Sequence, residues 1–166
     1  TVAAGGTLTA SVVTAGGADA DDDVSLSTSV GDIAASAITA TGNDVTLNAA
    51  GSITDGNGAT TNISAANLDA TAATGIDLDT AVDSITAVVS GTGVVDINEF
   101  DAVTLTSVTT NDGSITVAAG GTLTASVVTA GGADAADDVS LSTSVGDIAA
   151  SAITATGNDV TLNAAG

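Results

Sequence analysis

The chain is 166 residues long and carries 20 acidic side chains against no Lys, Arg or His, a formal charge of −20. Cys, Met, Trp, Tyr and Pro are absent and Phe100 is the only aromatic residue, so imidazole, thiol and amine chemistry are missing, as is any cation to grip a phosphate. These absences exclude nucleic-acid binding through phosphate neutralisation, make an anionic membrane surface repulsive and argue against an enzyme.

The first 51 residues recur at 116–166 with one change, Asp21 becoming Ala136. The offset divides the chain into residues 1–115, one full repeat, and 116–166, the start of a near-identical second repeat continuing the same architecture. The absence of an initiating Met leads one to expect a longer parent protein, and the duplicated stretch favours one covalent chain of tandem repeats. No signal peptide is read in the sequence. The hydrophobic share is 44%, but no apolar run reaches the length of a membrane-spanning helix, so membrane insertion is not expected.

Within the 115 residues a finer pattern recurs: a β-branched residue, a spacer, Leu, and then Ile preceded by Gly or Asp. In chain order it reads Val24-Ser-Leu26 with Gly31-Asp-Ile33, then Val45-Thr-Leu47 with Gly51-Ser-Ile53. Ile76-Asp-Leu78 with Asp83-Ser-Ile85 follows, then Val103-Thr-Leu105 with Gly113-Ser-Ile115. Val139-Ser-Leu141 with Gly146-Asp-Ile148 begins the series again. A third alternating segment follows each pair, at Ala37–Thr41, Thr61–Leu68, Val94–Asn98 and Thr122–Val127.

Each segment alternates apolar residues with Thr, Ser, Asn or Asp, the period-two signature of a half-buried strand. The abundant Ala shows no helical spacing. An all-β chain is predicted, folded as a right-handed parallel β-solenoid (β-helix) with about four three-stranded coils per repeat. Strands stacked about 4.8 Å apart then give an axial repeat of roughly 19 Å; six shorter coils would give roughly 29 Å. The alternative is a chain of tandem immunoglobulin-like β-sandwiches. Against it stands the lack of aromatics and Pro, because a core about 10 Å thick needs bulky side chains whereas a narrow bore is filled by Ala, Val, Ile and Leu.

Several places invite a functional reading. The loop Gly16–Asp23 and its counterpart Gly131–Asp138 concentrate carboxylates on a Gly-rich stretch. This makes Asp19, Asp21, Asp22, Asp23, Asp134, Asp137 and Asp138 candidate ligands for calcium, the one cofactor considered, although the spacing matches neither an EF-hand nor a calcium β-roll. The competing reading is a solvated acidic bulge. Asn62-Ile-Ser64 matches the glycosylation acceptor pattern, which chance explains better on a strand. Asn111-Asp-Gly113 and Asp55-Gly-Asn-Gly58 read as turns. Asp77 and Asp79 share one strand face, as two glycosidase acids would, but no basic residue is present to complete a lyase site. Asp96, Glu99 and Asp101 surround Phe100, the one group able to stack on a sugar; the plainer reading is a strand end whose Phe plugs the core. Asn, Thr and Ser on outer faces are expected to form ladders between coils. Twenty uncompensated carboxylates should oppose lateral bundling at low salt, with divalent cations or acid relieving the repulsion.

The segments VTLNAAGSITDGN, GSITVAAGGTLTAS and TGNDVTLNAAG resemble the repeat regions of filamentous-haemagglutinin-type bacterial surface proteins. The resemblance extends in style over nearly the whole chain and implies a parallel β-helix exported to the cell surface or the extracellular space, with a structural or adhesive role. The expected function is therefore a structural component of a bacterial extracellular fibre or surface filament. Alternatives are the stalk of a large adhesin, and a carbohydrate-binding solenoid with a surface cleft near Phe100. The expected partner is the protein itself, through end-to-end repeats or neighbouring fibres, with host or surface glycans reached through regions outside this stretch.

Overall fold

Strands alternating Val, Ile, Leu or Ala with Ser, Thr, Asn or Asp have one face to bury and one to solvate, and stacking them in parallel buries the apolar face continuously. The computed structural model describes residues 1–17, 19, 21–132, 134 and 136–166. Among these residues there are sixteen strands and no helix, and every strand pair is parallel. The protein is a parallel β-solenoid of about eight turns, and the sandwich alternative is set aside.

The first turn holds β1 (Val2–Ala4), β2 (Leu8–Ala10) and β3 (Val13–Ala15), and the second opens with β4 (Val24–Thr28) and β5 (Ile33–Ala35). From there, long strands round the corners. β6 (Ile38–Ala49) closes one turn and opens the next, as does β8 (Ile63–Ala72) after the short β7 (Ile53–Asp55), and β9 (Ile76–Thr92) runs on for 17 residues. The later turns alternate shorter and longer legs: β10 (Val95–Glu99), β11 (Val103–Asp112), β12 (Ile115–Ala119), β13 (Leu123–Ala130), β14 (Val139–Thr143), β15 (Ile148–Ala155) and β16 (Val160–Asn163).

The core is a set of columns, one side chain per turn. One runs Val2, Leu26, Leu47, Ala70, Ala87, Val108, Val128, Ile153. Another runs Leu8, Ile33, Ile53, Ile76, Val95, Ile115, Val139, Val160. In the interior turns these side chains are buried, Leu47, Ile53, Val95 and Ile115 completely. Each fully buried Val, Leu or Ile contributes about 1.5–3 kcal/mol of hydrophobic stabilisation. Ala fills many of the inward positions, among them Ala40, Ala70, Ala87 and Ala125, so a chain with a single aromatic residue can close its core with small side chains.

The columns correct the coil count. From Val2, five turns reach Val108, while its sequence copy Val117 lies part of a turn further on, in the column of Leu78, Ile97, Leu141 and Leu162. Val13 behaves alike: five turns lead through Ile38, Ile63, Thr80 and Glu99 to Ala119, short of the copy at Val128. A repeat therefore spans five turns and a little under half of another, not four, and rises about 26 Å. The reason is that turn length varies, from 17 residues (Ala70 to Ala87) to 25 (Val128 to Ile153). The recurring motif does not mark one place on the circumference: Val24 stacks on Val45 and Val45 on Leu68, whereas Ile76 stacks between Ile53 and Val95.

The repeat boundary falls within β12, so both repeats share one ladder and one core. Hydrogen-bonded side chains reinforce the stacking on the outer surface, as expected of Asn, Thr and Ser. The Asn67 amide donates to Asp44 Oδ1 at 2.7 Å, Ser84 Oγ donates to Asn67 Oδ1 at 2.6 Å, and the Asp44 N–H donates to Asp23 Oδ1 at 3.0 Å, linking four successive turns. At the corners, Thr28 Oγ1 donates to the Gly31 carbonyl and accepts from the Ala50 N–H, and Thr143 does the same with Gly146 and Ala165. Gly31 and Gly146 both sit at φ 87°, against the backbone of Thr7 and Thr122 respectively, where a Cβ would be strained and crowded.

Candidate functional site

The acidic loops lie at different corners of the solenoid. The first links β3 to β4, and its copy links β13 to β14. Ala18, Ala20, Ala133 and Ala135, which complete the two loops, lie outside the described residues. Of the seven candidate calcium ligands, Asp19, Asp21, Asp23 and Asp134 are exposed, Asp22 and Asp138 half-buried, and Asp137 buried. Their best-defined contacts are with the chain itself. Asp23 Oδ1 and Asp138 Oδ1 accept the N–H of Asp44 and Asp159, each at 3.0 Å, and so cap the next turn. Asp137 Oδ2 accepts the Asp134 N–H at 3.1 Å. Asp22 and Asp137 each fold over a glycine, Gly17 and Gly132 respectively; at Gly132, Asp137 is joined by Asp112 from the turn below, a neighbour that loop composition alone does not show. Calcium takes six to eight oxygens, and among the described residues no three acidic side chains converge on a common point.

A different place is a cleft of about 300 Å³ at the corner between β10 and β11. Asp79 and Asn98, paired on adjacent rungs, line it together with Ala59, Thr61 and Phe100. Phe100 is 77% exposed, so it does not plug the core. Glu99 takes the inward position instead, in the column that holds Ile38 and Ile63, and is only 4% exposed. It therefore does not share a surface with Asp96 and Asp101, which face solvent. Its carboxylate accepts the Thr80 hydroxyl at 2.7 Å, the Val82 N–H at 3.2 Å and the Asp101 N–H at 3.3 Å. Burial nevertheless outweighs these bonds and pushes the Glu99 carboxyl above the usual glutamate range.

Asp77 and Asp79 do lie on one outer face, with Leu78 between them turned inward. Partial burial raises the Asp77 carboxyl, helped by the charges of Asp96, stacked directly upon it, Asp55 and Asp79. Asp55 is held low in spite of its own desolvation, by hydrogen bonds from the Asn57 N–H, the Asn62 amide and the Gly58 N–H. Asn62 is fully buried: its amide nitrogen donates to Ala35 O, Asp55 Oδ1 and Asn57 Oδ1, and its Oδ1 accepts the Asp79 N–H. The glycosylation pattern is thus closed to modification in the folded chain. Asn62 belongs to the scaffold that holds the 56–62 loop beside the cleft, and among the described residues no buried side-chain polar atom lacks a partner.

None of three comparisons, with protein-family models, curated proteins and solved structures, finds a match. The likeness to filamentous-haemagglutinin repeats therefore rests on the quoted segments, and the structure carries the coarser description, a parallel β-solenoid compatible with a β-helix repeat protein. No helix among the described residues is long and apolar enough to cross a membrane.

Proposed function

We propose that this protein is a structural component of an exported bacterial extracellular fibre or surface filament, built from stacked β-solenoid repeats. The observation that supports this reading most is the strand β12, which crosses the repeat boundary and joins both repeats in one ladder. Tandem repeats joined in this way form one continuous rod and bury no independent module, so the unit contributes length. The chemistry is consistent with such a role: the core is mostly apolar columns, the surface is rich in hydroxyl, amide and carboxylate groups, and the side chains include no cation, thiol or imidazole with which to run a reaction.

The resemblance to filamentous-haemagglutinin-type repeats extends the proposal to a cell-surface location and to self-association as the partner interaction. Antibodies raised against the chain and applied to unopened cells of the source organism test it, with gold labelling read by electron microscopy. Labelled filaments outside the cell, with an axial period near 26 Å by cryo-electron microscopy, are the expected result. Labelling that appears only after lysis, or on particles without an axial period, overturns it.

A further inference from the structure

Among the described residues, the cleft beside Phe100 combines a concave surface with an exposed aromatic ring. Elsewhere the outer positions are hydroxyl, amide and carboxylate side chains, some of them joined from turn to turn, with single exposed valines such as Val12, Val30 and Val145 among them. Here the only aromatic ring of the chain is 77% exposed and lines a concave site together with Asp79, Asn98 and Thr61. Leaving a ring in water forfeits the burial that an aromatic side chain ordinarily gains, and the inward position next to it is filled by Glu99, a poorer core residue.

We propose that this cleft is a binding site for a neutral saccharide, with Phe100 as the stacking platform and Asp79, Asn98 and Thr61 as the polar contacts. A sugar ring presents one face of C–H groups, which suits an aromatic ring, and an edge of hydroxyls that both donate and accept. Asn98 offers an amide donor and acceptor, Thr61 a hydroxyl of both kinds, and Asp79 a carboxylate acceptor. Asp79 and Asn98 stand on neighbouring rungs, about 4.8 Å apart, so one ring can engage both. Glu99 also lines the cleft, with its carboxylate already committed to Thr80, Val82 and Asp101. It shapes the site and holds the Asp101 turn that presents Phe100.

Charge narrows the ligand class. A chain with 20 carboxylates and no cation repels sulfated, phosphorylated or uronic-acid glycans. An ammonium ligand would use Asp79 and the ring face but leave the donors of Asn98 and Thr61 idle. The proposal is independent of the fibre reading, since a saccharide site can sit on a rod of any location.

The test is a titration of the isotope-labelled chain, followed by amide NMR shifts, with cellotetraose, chitotetraose and mannotetraose up to about 20 mM, a range that captures millimolar affinity. Trilysine and tetragalacturonate are run beside them. At least one neutral tetrasaccharide should give saturable shifts at Thr61, Asp79, Asn98 and Phe100. Affinity should fall about tenfold or more in Phe100→Ala and in Asn98→Ala, and be kept in Phe100→Tyr. Both alanine variants alter exposed side chains, so the rest of each spectrum should match the parent. The proposal is overturned if no neutral sugar saturates, if Phe100→Ala binds as well as the parent, or if trilysine or tetragalacturonate binds the same residues more tightly.

Discussion

Residues 1–51 and 116–166 differ at a single position, yet they are built into different parts of the solenoid. Leu8–Ala10 and Val13–Ala15 are two strands, whereas their copies form one strand, Leu123–Ala130. Ile33–Ala35 and the start of β6 are divided by a corner at Ser36 and Ala37, but the same residues in the second copy run through as Ile148–Ala155. What is preserved is smaller. The Thr28–Gly31 corner recurs as Thr143–Gly146 with the same 2.9 Å bond, the Asp23 cap recurs as Asp138, and Gly42 and Gly157 share φ 77°. Local hydrogen-bonding devices therefore travel with the sequence, while the placing of straight runs and corners is imposed by the turn beneath. Alternating small and β-branched residues can follow either path, because Ala and Ser tolerate both faces.

The comparison can be broken most forcefully in the core. Leu26 and its copy Leu141 are both buried but stand in different columns, Leu26 between Val2 and Leu47 and Leu141 above Val117. Leu26→Ala and Leu141→Ala should each cost about 2–5 kcal/mol in urea-unfolding free energy; a cost under about 1 kcal/mol for either would mean that its column does not hold the turns together. The corner glycines sharpen the opposite half of the contrast. Gly31→Ala and Gly146→Ala should each lose about 1–2 kcal/mol, since both force a Cβ into left-handed backbone. A large difference between them would show that the corner, too, depends on its surroundings. Thr28→Ala comes next, at about 1 kcal/mol, because the hydroxyl serves both Gly31 O and the Ala50 N–H.

How much of this was legible in the sequence follows the same division. The alternation of apolar with hydroxyl and amide residues identified strands, and the lack of bulky side chains selected a narrow bore over a sandwich. The turn residues at Gly58 and Gly113 do adopt positive φ. The coil count was not legible, because turns of 17 to 25 residues keep no fixed phase with a short motif. Nor was the exchange at residues 99 and 100: a strand ending in Glu-Phe suggests Phe inside, and it is Thr80 and Val82, brought from the adjacent rung, with the nearby Asp101 N–H, that make the inward Glu tenable.

That inward carboxyl gives the pH dependence a sign. A carboxyl raised in the folded chain binds its proton more readily there than in the unfolded chain, so stability rises as pH falls from neutral through the folded Glu99 pKa and levels off below the ordinary glutamate range. Asp77 adds to the same trend. Asp32, held low by the Ser52 N–H and hydroxyl, and Asp55 act in reverse, and their contribution is lost in stronger acid. Unfolding free energy should thus pass through a maximum in mild acid. In Glu99→Gln the rise on the neutral side should flatten; an unchanged profile would remove Glu99 as its source. The smallest effect is expected at the one position where the copies differ. Asp21 and Ala136 are both exposed, so Asp21→Ala should move the unfolding midpoint by no more than about 0.5 kcal/mol, judged by the same urea titration.

The ladder that unites the turns also determines how the rod would give way under tension. Its hydrogen bonds run from turn to turn, so pulling on the two chain ends peels the outermost turn while those inside remain folded. Each peeled turn of 17 to 25 residues would release roughly 60 to 85 Å of extended chain. Because neighbouring turns are built alike and no boundary interrupts the core at the repeat junction, a force–extension trace should show many small, similar steps. The material would yield gradually, one turn at a time, and let go of little length at each event.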